Sequence, residues 1–294
     1  MKGYLYTDLA CEAWESDEKN KTSRKTPISD NISYSKTVIS TQEEEKRYQQ
    51  AKGTYTTFFT PQLGQLDHRS FELLCDSVGR ELRNMLQSGV GGVPLSFDFS
   101  VLVVGIGNGA VTADAIGPET AKQVFVTRHL LSTQSAKKLG RCSVSAFVPD
   151  VLGNTGIETL ELIRGAVQAV RPDAVIAVDS LVAKSYERLA TTIQVSDGGI
   201  SPGSGLGYHR KAICRQTLGC PVIAVGIPTV VNSSTLISDV LEQSGMAYPT
   251  EALRQILENG RSFFVMPQES DQIVKSGALV LSCAIDRACT LATE

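Results

Sequence analysis

One pattern limits the folds open to this chain more than any other. An apolar run ends in a glycine-rich turn, and the turn hands a carboxylate to the next segment. It occurs in Val101-Leu-Val-Val-Gly-Ile-Gly-Asn-Gly-Ala-Val-Thr-Ala-Asp-Ala-Ile-Gly-Pro118, where Asp114 stands just before a helix-opening Gly117-Pro118. A second apolar run, Asp173-Ala-Val-Ile-Ala-Val-Asp-Ser180, ends on Asp179. Runs such as Val101–Val104 and Val222–Val225 are apolar at every position. Strands apolar on both faces belong to parallel sheets covered by helices on either side. In such sheets chemistry collects at the carboxyl ends of the strands, so two acids delivered there can share one rim.

The remaining periodicity agrees with that architecture. Strands are expected over 54–60, 101–106, 143–148, 174–178, 192–195 and 221–226. Helices are expected over 67–87, 117–138, 156–170, 180–190, 233–244, 249–258 and 268–291. Asp67 is placed to cap the first of these, and Gly89-Val-Gly-Gly92 to end it. The predicted class is α/β, a three-layer α/β/α sandwich with a mostly parallel sheet. Residues 15–52 are polar, with apolar islands at Ile28, Ile32, Tyr34, Val38 and Ile39. They read either as an edge hairpin or as a mobile, solvated segment.

Composition closes off several functions. The 294 residues carry a net charge of −3, which gives no general affinity for nucleic acid or an anionic membrane. No apolar run approaches the ~18 residues of a spanning helix, and the N-terminus lacks a signal-peptide core. The chain is therefore expected to stay in the compartment where it is made. Seven cysteines without CxxC spacing read as reduced thiols, with Cys142 and Cys283 as small apolar packers. Three histidines (68, 129, 209) have no spacing that pairs them on a helix face, and no metal or cofactor is expected.

Three segments carry the candidate chemistry. Gly105-Ile-Gly-Asn-Gly109 is GxGxG, not the GxGxxG of dinucleotide sites. The acid that such a site needs at the end of the next strand is missing from its place. Asp114 and Asp179 each read, alone, as helix caps; as a pair they read as a proton acceptor and donor for water attack on an amide. The pepsin-type Asp-Thr/Ser-Gly signature is absent, since Ser180-Leu181 follows Asp179. The glycine-rich stretch from Ser196 to Lys211 is either a surface loop or a set of N–H groups facing a substrate. Arg210, Lys211 and Lys184 are candidates for an acidic substrate side chain, and Thr229 either meets substrate or supports the core.

Together these segments resemble the germination protease family of spore-forming bacteria. The matching motifs are Gly105-Ile-Gly-Asn108, Val111-Thr-Ala-Asp-Ala-Ile-Gly-Pro118, Val178-Asp-Ser-Leu181, Thr191-Thr-Ile-Gln-Val-Ser-Asp197, Pro202-Gly-Ser-Gly205 and the strand at 221–231. The resemblance implies an atypical aspartic endopeptidase with a fold similar to the hydrogenase-maturation proteases. It implies Asp114 and Asp179 as the functional acids and small acid-soluble spore proteins as substrates. It further implies a homotetramer, made as a zymogen in the forespore and spore core. Residues expected to meet substrate are Asn108, Lys184, Gly203, Ser204, Gly205, Arg210, Lys211 and Thr229. Thr7-Asp-Leu-Ala-Cys-Glu12 is similar to the family's cleavage sequence, Thr-Glu-Phe-Ala-Ser-Glu. Self-processing is therefore expected between Asp8 and Leu9, giving a propeptide of residues 1–8 and a single peptidase domain of residues 9–294. Departures from the family pattern fall at Ala113, Ser180, Ser201 and Asn232. Two other readings stand beside this one: a nucleotide- or small-ligand-binding α/β module built on the Gly105–Gly109 turn, and a metal-dependent processing protease, which the scarcity of histidine disfavours.

Overall fold

The computed structural model describes residues 7–17, 25–130, 140–203, 211–245 and 263–291. The expected helix at 249–258 lies outside them, as do Ser204, Gly205 and Arg210. The strands are β1 (Thr26–Pro27), β2 (Ser33–Ile39), β3 (Gly53–Phe59), β4 (Ser100–Gly105), β5 (Ser143–Phe147), β6 (Ala174–Ala183), β7 (Thr192–Ser196), β8 (Val222–Asn232) and β9 (Phe264–Val265). They form one sheet in the order β1-β2-β3-β7-β8-β6-β4-β5, with β9 on β8.

Strands β5, β4, β6 and β8 run parallel. The other half of the sheet is antiparallel, where β1, β2, β3 and β7 extend it from β8. The α/β class therefore comes with a mixed sheet. Within the polar N-terminal stretch, β1 and β2 pair at the sheet edge, and a short helix, α2 (Gln42–Tyr48), follows them.

Helices cover both faces. On one, α3 (His68–Gly89), α4 (Ile116–Gln123) and the long α9 (Ser270–Ala288) bury Leu74, Val78, Leu82, Ile116, Val274, Leu281 and Ile285 against Val101, Val103, Ile176 and Val178. On the other, α6 (Thr159–Val170) packs Leu160 and Ile163 on Leu102, Val104, Val175 and Ala177. Alternate residues of β4 and β6 thus enter opposite cores, which is why Val101–Val104 and Ala174–Val178 carry no polar side chain. Asp67 caps α3 by accepting from the Ser70 N–H at 2.7 Å. The remaining helices are short: α1 (Ala10–Glu15), α5 (Leu152–Thr155), α7 (Arg215–Leu218) and α8 (Ser233–Gln243).

Two expected elements differ, each because a distant partner outweighs local periodicity. The segment 180–190 is not a helix. β6 continues through Ala183, pairing with β8 as far as Val231, and a 3-10 turn follows at Tyr186–Arg188. Helix α4 ends at Gln123 instead of running to 138. The chain leaves it so that Thr127 can join β5, where its hydroxyl donates to the Cys142 carbonyl at 2.7 Å and accepts from the Val144 N–H at 2.9 Å.

Among the described glycines, the tightest approaches fall at the junction between β4 and α4. A Cβ on Gly117 would collide with the carbonyl oxygens of Ile106 and Val178. Gly117→Ala is expected to destabilise the protein by about 1–3 kcal/mol. Urea unfolding checks this, and a variant as stable as the wild type would contradict the packing described.

Candidate active site

The close approach at Gly117 carries the first turn of α4 onto the ends of β4 and β6, and Asp114 ends the 3-10 turn (Thr112–Asp114) just ahead of it. Gly107 has φ +119°, a conformation that favours glycine. A Cβ there would also strike the Asp114 carbonyl and lie 2.9 Å from its Oδ1. Asp114 Oδ2 accepts from the Asn108 N–H at 2.8 Å, and the Asn108 side chain accepts from the Ala110 N–H at 2.9 Å. Asn108 therefore folds the turn around Asp114. Thr229 Oγ1, buried on β8, donates to the Ala113 carbonyl at 2.6 Å. Its hydroxyl holds the same turn from the opposite side.

Asp179 stands on β6 one position beyond Val178, which pairs with Gly105 at the end of β4. It is only 5 % exposed, and its Oδ1 accepts from the Ser180 N–H at 2.8 Å. Ser180 points the other way, its Oγ accepting from the Ile116 N–H at 3.3 Å. The two acids thus occupy one end of the sheet: Asp114 at the β4 crossover, partly exposed, and Asp179 on the neighbouring strand, buried.

The N-terminal segment lies against the same end of β6. The Asp8 N–H donates to the Val182 carbonyl, and Asp8 Oδ2 accepts from the Val182 N–H, both at 2.8 Å. Leu9 is fully buried among Phe59, Leu181 and Ala183. Glu12 accepts from the Lys184 N–H at 2.7 Å and the Ser185 N–H at 2.9 Å, and contacts the Thr7 hydroxyl. Lys184 therefore meets this segment through its backbone. Gln194, on β7, accepts from the Ala10 N–H at 2.8 Å and donates to the Asp8 carbonyl at 2.9 Å. A cavity of 420 Å³ opens beside these groups, lined among others by Asp8, Leu181, Gln194, Ser201 and Gly226.

The glycine-rich loop falls partly outside the described residues. Gly203 takes φ +74°. Lys211 is exposed and sits with Pro202 beside Glu158, Arg164 and Ile213, at the α6 side of the molecule. Gln194 and Glu12 were not evident as functional residues from composition. Their signal is a polar side chain at a position that strand or helix periodicity assigns to the interior. Among the described residues no group of three His, Cys, Asp or Glu side chains is placed to hold a metal ion. All seven cysteines are free, and burial pushes the Cys11 thiol up to about 12, which makes it a packing group. No helix among the described residues is long and apolar enough to cross a membrane.

Comparison with known proteins adds the class. The sequence profile of the germination protease family, Peptidase_A25, matches residues 8–246. The germination protease of Caldanaerobacter subterraneus is 36% identical over 97% of this chain and 94% of its own length. The germination proteases of Priestia megaterium and Bacillus subtilis are 40% and 41% identical over 80% and 70% of this chain. The chain spans 66% and 55% of the length of those two relatives. Among solved structures, a [NiFe] hydrogenase maturation protease, HycI from Thermococcus kodakarensis, aligns with 68% of this chain and 97% of its own at 15% identity and a TM-score of 0.36, a likeness that carries no argument. The matches define a peptidase. The chain belongs to the germination protease family.

Burial raises the pKa of Glu12. The neutral form is then favoured by folding, so its contribution to stability is complete below the ordinary glutamate range and is lost as pH rises through the raised folded value. Glu12→Gln stays neutral throughout. The Tm of this variant relative to wild type is expected to increase between about pH 4 and about pH 8. Thermal denaturation across that range checks it, and a pH-independent difference would contradict the shift.

Proposed function

We propose that this chain is an endopeptidase of spores that hydrolyses small acid-soluble spore proteins by water attack assisted by Asp114 and Asp179. One carboxylate takes a proton from water while the other, protonated, gives one to the departing amide nitrogen. Two acids in unequal surroundings can divide those roles. The observation that carries the reading is the glycine-lined crossover, which brings the Asp114 turn to the strand end occupied by Asp179. The family match supports the substrate class.

The nucleotide-binding alternative loses its main support at the same turn. The Asn108 N–H that a phosphate oxygen would claim is already given to the Asp114 carboxylate. Gly107 is occupied in accommodating Asp114 itself.

In this reading the chain is made as a zymogen in the spore core, assembles as a homotetramer and processes itself between Asp8 and Leu9. Support for the processing site comes from the match of Thr7–Glu12 to the family's cleavage sequence and from the docking of that segment beside Asp179's strand.

Asp114→Asn and Asp179→Asn are each expected to lower cleavage of a peptide containing Glu-Phe-Ala-Ser-Glu by about 10²–10⁴-fold, with an unchanged circular dichroism spectrum. Retained turnover in both variants would reject the two-acid mechanism.

A further inference from the structure

Among the described residues, Gln194 is the one side chain that grips the main chain on both sides of Leu9. Its oxygen takes the Ala10 N–H at 2.8 Å and its nitrogen donates to the Asp8 carbonyl at 2.9 Å. The orientation of the amide is fixed by chemistry, because Ala10 offers only a donor and Asp8 only an acceptor. Gln194 thus imitates a neighbouring strand, bonding the carbonyl ahead of Leu9 and the N–H after it. Recognition of this kind does not depend on the side chains of the bound peptide.

Its position in the sheet gives the contact a second meaning. Asp179 pairs with Gly226, and Gly226 pairs with Gln194, so the three form one row across β6, β8 and β7. Residues in one row present their side chains to the same face. The middle member has no side chain. A Cβ on Gly226 would lie 2.6 Å from the Asp179 carbonyl oxygen and 2.7 Å from Leu181 Cγ. Two strand spacings place the outer α-carbons about 10 Å apart. Leu181 covers Gly226 between them, and the Gln194 amide meets the Asp8 carbonyl on the face that also carries Asp179.

We propose that Gln194 is a catalytic residue, the hydrogen-bond donor that holds the scissile carbonyl, first of the Asp8–Leu9 bond in cis and then of extended protein substrates in trans. The inference rests on the self-processing and two-acid reading given above. In the step it serves, a water oxygen bonds to the carbonyl carbon while a carboxylate takes the water proton. The carbonyl π pair moves onto the oxygen held by Gln194 Nε2. The C–N bond then breaks, the oxygen pair re-forms the carbonyl, and the leaving nitrogen receives the proton of the second acid. The products are one carboxyl and one amine. A donor already aimed at the oxygen that becomes negative lowers this barrier without reorganisation.

The test uses the full chain and its Gln194→Met and Gln194→Glu variants. Two rates are measured: conversion of the chain to one beginning at Leu9, by intact mass, and cleavage of an added peptide containing Thr-Asp-Leu-Ala-Cys-Glu. Gln194→Met keeps the volume and removes the donor. Its kcat is expected to fall about 10²–10³-fold with little change in KM. Gln194→Glu is expected to be equally slow near neutral pH and to recover on acidification, as its protonated carboxyl regains a donor. Recovery also shows that the variant is folded. Gln194→Met at any pH, or Gln194→Glu near neutral pH, turning over within about threefold of wild type, or a loss confined to KM, overturns the inference while leaving the self-processing reading intact. A wild-type chain that cuts neither its own Asp8–Leu9 bond nor the peptide overturns both.

Discussion

Everything at the candidate site depends on one steric condition: helix α4 must begin in backbone contact with the ends of β4 and β6. Gly117 permits the contact, and Gly107 makes the room that Asp114 then fills. An alanine at either place would push the helix or the carboxylate away from the strand ends. The hydrogen bonds from Asn108 and Thr229 follow from this approach and could not produce it alone. Hydrogen bonds of this kind contribute about 1 kcal/mol each, whereas backbone atoms cannot interpenetrate at any comparable cost.

Much of this was legible in the residues. Val101–Val104 and Ala174–Val178 announce buried parallel strands because no polar residue interrupts them. The Gly-turn-Asp sequence after β4 announces a crossover with a functional acid. The helix spacing of Leu74, Val78 and Leu82 was equally plain, and Asp67 caps that helix as its position suggests. What local pattern could not supply was any element defined by a distant partner. Val182 and Lys184 look like a helix start until Asp8 and Glu12, more than a hundred and seventy positions away, bond to their backbones. Thr127 looks like the middle of a helix until β5 claims it.

The candidate site divides in the same way. Asp114 and Asp179 stand out because each ends an apolar run. Asn108 and Thr229 belong to recognisable motifs, but only the coordinates place their polar atoms on the Asp114 turn. Gln194 is hidden by its surroundings: in Ile193-Gln-Val195 it is simply the alternate residue of a strand. The flanking isoleucine and valine enter the core on the α3 side, and the glutamine faces the N-terminal segment. A polar residue on the buried side of a strand is informative once its bonding partners are known.

The burial of Leu9 has a consequence for what hydrolysis before it would do. The Leu9 nitrogen now donates to the Thr7 hydroxyl at 3.1 Å, and the residue has no accessible surface. Breaking the bond ahead of it would turn that neutral amide into an ammonium group inside an apolar pocket, stripped of Thr7. A buried ammonium is strongly disfavoured unless a carboxylate meets it, and the Glu12 carboxyl, which shares the Thr7 hydroxyl with the Leu9 nitrogen, is the acid placed to do so. The ammonium would favour the ionised form of Glu12, and an ion pair would stand where the Thr7 hydroxyl now bridges the two.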